Sequence, residues 1–155
     1  MADDPLESWS LVIGQYITQF ALIEQAVYKA LTLLPQDRLT KHACQLRDYH
    51  DRVRFLQALL RSAKWPETSQ LIQLLESTFP LASIRNQLAH NPTYINVELS
   101  EEHLSSVERP SLYHSKTGHE LANITPDEII KHKAQVVVAY LKIHTILQKW
   151  SMKDA

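Results

Sequence analysis

The sequence predicts an all-α protein: an antiparallel four-helix bundle with a short irregular, β-hairpin-bearing insertion before the last helix. Three observations predict it. Apolar residues recur at alternating spacings of three and four over long stretches, the period of an amphipathic helix. Prolines and capping residues punctuate those stretches where helix ends are expected. Only two glycines occur in 155 residues, which argues against a turn-rich β-sandwich, a Gly-rich phosphate loop and a Rossmann turn.

In the first segment Trp9, Ile13, Tyr16, Phe20, Ile23, Val27, Ala30 and Leu34 form one continuous stripe, and Pro35 ends the helix. Leu11, Val12, Ile17 and Leu22 widen the stripe, so this helix is expected to bury more than one side. Gly14 lies inside it, where it weakens the helix by roughly 1 kcal/mol against Ala and admits a close neighbour. A second helix is expected over about residues 37 to 64, with Leu39, Ala43, Leu46, Val53, Leu56, Leu60 and Ala63 inward and Tyr49 and Phe55 at the margins. Trp65-Pro66 closes it. The third helix starts near Pro66 and carries Leu71, Leu74, Leu75, Phe79, Leu81, Ile84 and Leu88. Pro80 should kink or split it, and Asn91-Pro92 stops it, since a residue before proline avoids the α region.

Residues from about 92 to 124 change character and read as an irregular arm. Thr93 to Leu99 alternates weakly, and Ser115-Lys116-Thr117-Gly118 reads as the turn of a small hairpin flanked by residues 111–114 and 119–122. An arm of this length is too long for a plain connection. The last helix has the clearest start: Thr125 supplies a capping hydroxyl, Pro126 the first position, and Asp127 and Glu128 the acids that suit the first turn. Ile129, Val136, Val137, Tyr140, Ile143, Leu147 and Trp150 make its stripe.

Composition bounds the rest. The 16 basic and 17 acidic residues leave a formal charge of −1, so the chain does not bind nucleic acid by bulk positive charge. One cysteine excludes an internal disulfide framework and a Cys-based zinc finger. No stretch approaches the roughly 18 consecutive apolar residues of a membrane span. Met1-Ala2-Asp3-Asp4 has no basic region leading an apolar run, so no secretory signal is read and a cytoplasmic protein is the expectation. A single domain over 1–155, with the arm at about 92–124, fits the length.

One segment departs from core and surface patterning: Ile84-Arg85-Asn86-Gln87-Leu88-Ala89-His90-Asn91-Pro92. Asn86 and His90 are four apart and share a helix face, where the amide is placed to bond one imidazole nitrogen. Arg85 and His90 are five apart, with directions differing by about 140°. An Arg near a His suits phosphodiester chemistry. The imidazole takes a proton from a 2′-hydroxyl or gives one to a leaving oxygen, and the guanidinium holds the phosphate and its developing charge. RNA supplies its own nucleophile, so this chemistry needs no metal. One His does not easily act as base and acid at once, and a symmetric dimer would bring two copies together.

The run Arg85-Asn86-Gln87-Leu88-Ala89-His90 resembles the signature of the HEPN family (higher eukaryotes and prokaryotes nucleotide-binding domain). That signature is an Arg, usually followed by a polar residue, with a His several residues on, near the end of the third main helix. The expected layout of helices is similar to HEPN over nearly the whole chain. The resemblance implies a metal-independent endoribonuclease acting as a homodimer, often a toxin neutralised by an antitoxin protein or an effector of phage defence. It implies that Arg85 binds the scissile phosphate, that His90 is the acid/base and that Asn86 supports them. Some toxin members carry a Tyr two residues after the His; here Tyr94 stands four after His90, a departure from that pattern. Other members bind nucleotides or protein partners without catalysis, and that is the alternative function.

Elsewhere, Arg47, Arg54 and Arg61 recur every seven residues and are expected to form one basic stripe on the second helix, suited to an RNA backbone, with Arg52 and Lys64 nearby. Asp48 and Asp51 interleave with them, the pattern of an ordinary solvated face. The eight histidines, among them His42, His50, His114 and His119, show no zinc spacing, so neither a metal nor another cofactor is expected. Cys44 reads as a small apolar residue near a core face.

Overall fold

The computed structural model describes residues 5–63, 65–91, 93–99, 106–112 and 124–152. Six helices and one strand pair follow in chain order: α1 (Pro5–Leu33), α2 (Arg38–Gln45), α3 (Tyr49–Ser62), α4 (Thr68–Ser77), α5 (Phe79–His90), β1 (Thr93–Leu99), β2 (Ser106–Leu112) and α6 (Pro126–Ser151). The protein is predominantly helical. The expectation of four long helices becomes six because two of them break.

The two longest helices, α1 and α6, pack along one another and form the spine. The α1 stripe is buried from Tyr16 through Phe20, Ile23, Val27 and Ala30. On α6 the inward residues are Ile129, Val136, Ile143, Leu147 and Trp150, joined by Ala139 and Ile146. Thr125 caps α6 by accepting the Glu128 backbone N–H at 3.2 Å. At the far end, Trp150 Nε1 donates to the Pro66 carbonyl at 3.0 Å, and its ring meets Trp65 edge-on at 4.7 Å. That contact ties α6 to the link between α3 and α4.

The expected second helix is interrupted at residues 46–48, where Leu46 adopts extended angles (φ −63°, ψ 126°). Each half has its own cap. Asp37 accepts the Thr40 N–H at 2.8 Å, which holds the Asp37 carboxyl below its ordinary pKa, and Asp48 accepts the Asp51 N–H at 3.0 Å. The carbonyls left at the break are taken by Arg52: Nε donates to Leu46 O at 3.0 Å, and Nη2 donates to Leu46 O and, at 3.3 Å, to Arg47 O. The apolar spacing runs across the break, so periodicity alone reads one helix. The third helix divides at Thr78, as expected near Pro80. Proline has no N–H to give the carbonyl four residues back, that of Glu76, and at the break Thr78 satisfies Leu75 O instead, its Oγ1 donating at 2.6 Å.

Three expectations about α1 and α2 need correction. Leu11 is 61% exposed and Leu22 37%, so neither widens the buried face of α1, whereas Val12 packs against the core and Ile17 is half-buried. Leu39, expected inward, is 55% exposed. A Cβ at Gly14 would meet nothing within 4 Å, so among the described residues this glycine admits no close neighbour. Gly14→Ala is therefore expected to stabilise the protein by about 1 kcal/mol through helix propensity alone. A urea midpoint that falls on this substitution would show that something covers this face in solution.

In the arm, β1 pairs antiparallel with β2, Thr93 opposite Leu112 and Leu99 opposite Ser106. Both strands touch α1. Of the hairpin expected over 111–122, Ser111 and Leu112 belong to β2, and its turn at 115–118 lies outside the described residues.

Candidate active site

The Arg85 segment sits where α1, α3 and α5 meet. Leu81, Ala82 and Leu88 are the buried residues of α5. Arg85 follows Leu81 by one turn and so emerges beside the core, its side chain 23% exposed. Its Nη2 is in direct contact with Glu24 Oε1 of α1, and its Nη1 donates to Asn86 Oδ1 at 2.8 Å. The guanidinium carbon lies 5.5 Å from the centroid of the Phe20 ring. Phe20 is fully buried and meets Tyr49 edge-on at 5.1 Å, so the Arg85 charge rests on a packed aromatic pair.

Two buried phenols lock α5 in place. Tyr16 donates to the Leu81 carbonyl at 2.9 Å. Tyr49 donates to Thr78 Oγ1 at 2.7 Å, since the Thr78 proton is already committed to Leu75 O. Burial pushes both phenols above their ordinary pKa, against the Thr78 hydrogen bond in the case of Tyr49, so both remain neutral donors. His50 adds a stacked contact on Phe79 at 5.0 Å, joining the start of α3 to the start of α5.

Arg85 and Arg52 both act electrostatically on Tyr49, as does Glu24. Two guanidinium groups and one carboxylate thus lie close enough to Tyr49 to act on it. Arg52 is 5% exposed, and it also lies over the Tyr28 ring at 4.2 Å. It is a structural residue rather than one free to meet RNA.

His90 is the last residue of α5 and is exposed. Among the described residues no hydrogen bond joins it to Arg85 or Asn86. Among the described residues the expected Asn86–His90 contact is not formed; the Asn86 side-chain oxygen accepts from Arg85. Asn91 closes the helix with its side-chain amide donating to Gln87 O at 2.8 Å.

The expected basic stripe is altered by the break after α2. Arg47 lies between the helices, whereas Arg54 and Arg61 share a face of α3; all three are exposed. His114 and His119 lie outside the described residues. Among the described residues no group of three or more His, Cys, Asp or Glu is placed to hold a metal ion, and no helix is long and apolar enough to cross a membrane.

A shallow groove of about 380 Å³ runs between α4, α5 and α6, lined among others by Leu74, Leu81, Ala134, Val138 and Lys142. It is mostly apolar, with Ser77, Gln135 and Lys142 as its polar members, and contains none of Arg85, Asn86 or His90.

Sequence reasoning missed Glu24. Its signal is faint: it is an acid one turn after Phe20, between the stripe residues Ile23 and Val27, where a solvated face would not begin. No family model, curated protein or solved structure matches this chain.

Proposed function

We propose that this protein is a HEPN-like, metal-independent endoribonuclease, an antiparallel helical bundle that acts as a homodimer in the cytoplasm. RNA is the substrate, and an antitoxin protein is the partner that would restrain it. The observation that carries the reading is the part-exposed guanidinium of Arg85, held over a buried aromatic pair, with an exposed imidazole at the end of the same helix. Arg85 binds the scissile phosphate and stabilises its developing charge. His90 transfers a proton. Asn86 orients Arg85 through its side-chain oxygen. Arg54 and Arg61 on α3, with Arg47 before it, guide the RNA backbone.

The test is cleavage of mixed tRNA and mRNA in EDTA. Wild-type protein is expected to leave 2′,3′-cyclic phosphate ends. His90→Ala is expected to lose on the order of 100- to 10,000-fold in rate. Because His90 is exposed, its removal should leave stability within about 0.5 kcal/mol of wild type. Cleavage by the folded variant at the wild-type rate would remove His90 from the mechanism.

One observation favours a second reading, a non-catalytic module that binds a nucleotide or a protein partner. Arg85 is already paired with Glu24, which suits a structural ion pair. In that case no RNA is cut, and partner binding survives Arg85→Ala with His90→Ala.

A further inference from the structure

We infer that Glu24 is the general base of this site, so that one chain carries both proton-transfer groups. The inference rests on the ribonuclease reading, in which Arg85 holds the scissile phosphate. A guanidinium has five N–H donors. Glu24 occupies one on Nη2 and Asn86 one on Nη1, which leaves donors for a phosphate on the same planar group. The phosphate would then share Arg85 with the Glu24 carboxylate as an immediate neighbour. The ribose 2′-oxygen, adjacent to that phosphate, comes within reach of Glu24, whose side chain is 28% exposed.

His90 is less well placed for that role. It stands five residues on along α5, about 7.5 Å farther along the axis, and bonds neither Arg85 nor Asn86. In-line displacement needs separate groups for the attacking and leaving oxygens. Glu24 takes the 2′-hydroxyl proton as the O2′–P bond forms. The P–O5′ bond breaks, and protonated His90 gives its proton to O5′. The products are a 2′,3′-cyclic phosphate and a 5′-hydroxyl, with no further reactant required.

Leaving-group chemistry tests this division with the full-length chain. A dinucleoside phosphate needs an acid at O5′; a uridine 3′-(4-nitrophenyl phosphate) does not, because nitrophenolate departs unaided. Glu24→Gln is expected to slow both substrates by on the order of 100- to 10,000-fold. His90→Ala should slow only the dinucleoside phosphate. A folded Glu24→Gln protein that cleaves the aryl ester at close to the wild-type rate overturns the assignment and leaves Glu24 an ion-pair partner. Should that variant fail to fold by circular dichroism, Glu24→Ala with added formate decides: recovered cleavage of the aryl ester supports the base, and none overturns it. Wild-type protein inactive on both substrates and on RNA would overturn the ribonuclease reading as well, an outcome distinct from an active enzyme indifferent to Glu24.

Discussion

Phe20→Ala is expected to lower the unfolding free energy by about 3–5 kcal/mol. Phe20 is fully buried, and truncation opens a cavity where α1 meets α3 and α5. The edge-on contact with Tyr49 at 5.1 Å is lost too, a pairing worth about 0.5–1.5 kcal/mol beyond area burial. For a chain of this size the melting temperature should fall by roughly 10 °C. The same ring is the floor beneath the Arg85 guanidinium. Phe20→Leu separates the two roles: it refills most of the volume and restores most of the stability, yet leaves Arg85 without its aromatic support. Urea unfolding measures the first effect. A loss under about 1 kcal/mol for the alanine variant would show that the site collapses without cost and that Phe20 is not a keystone.

Arg52→Ala should cost about 3 kcal/mol. The side chain is 5% exposed and donates to the carbonyls of Leu46 and Arg47, the acceptors orphaned where α2 stops and α3 starts. Its removal leaves those carbonyls without their donor and takes away the contact over Tyr28 at 4.2 Å. Arg52→Met keeps the apolar stem and should lose less, so the difference between the two variants reports packing. Arg52→Lys should not restore the wild-type midpoint, because a single ammonium cannot reproduce the fork that spans both carbonyls. Hydrogen exchange would locate the damage: faster exchange confined to α2 and the start of α3 is the expected pattern. Unchanged exchange there would mean that the Asp48 cap suffices to hold the break.

The ends of α1 and α6 were legible because they depend on neighbours in sequence. Pro35 stops one helix, and the Thr125 hydroxyl with Pro126 starts the other. The division near Pro80 was legible for the same reason. The break at Leu46–Asp48 was not, although Asp48 is a good capping residue. Ala43, Leu46, Tyr49 and Val53 keep helical spacing across it, so the apolar pattern hides the change of direction. The hairpin expected around Gly118 lies mostly outside the described residues, and the pairing of β1 with β2 is a partner choice that the weak alternation of 93–99 does not encode.

The candidate site divides along the same line. Arg85, Asn86 and His90 were singled out from their order in the chain. Glu24 was not, since it lies 61 residues from Arg85 and carries no pattern of its own. Asn86 was expected to serve His90 because the two share a helix face, but its oxygen accepts from Arg85, whose guanidinium is held between Asn86 and Glu24 of α1.

By itself, then, the sequence determined which segments are helical and most of the residues they bury. These follow from interactions within a turn or two, where spacing, caps and prolines act. The tertiary structure alone decided where the second helix bends, which strands pair and which carboxylate meets Arg85. Those choices are made when apolar stripes close on one another, and burial then fixes the polar neighbours at their edges.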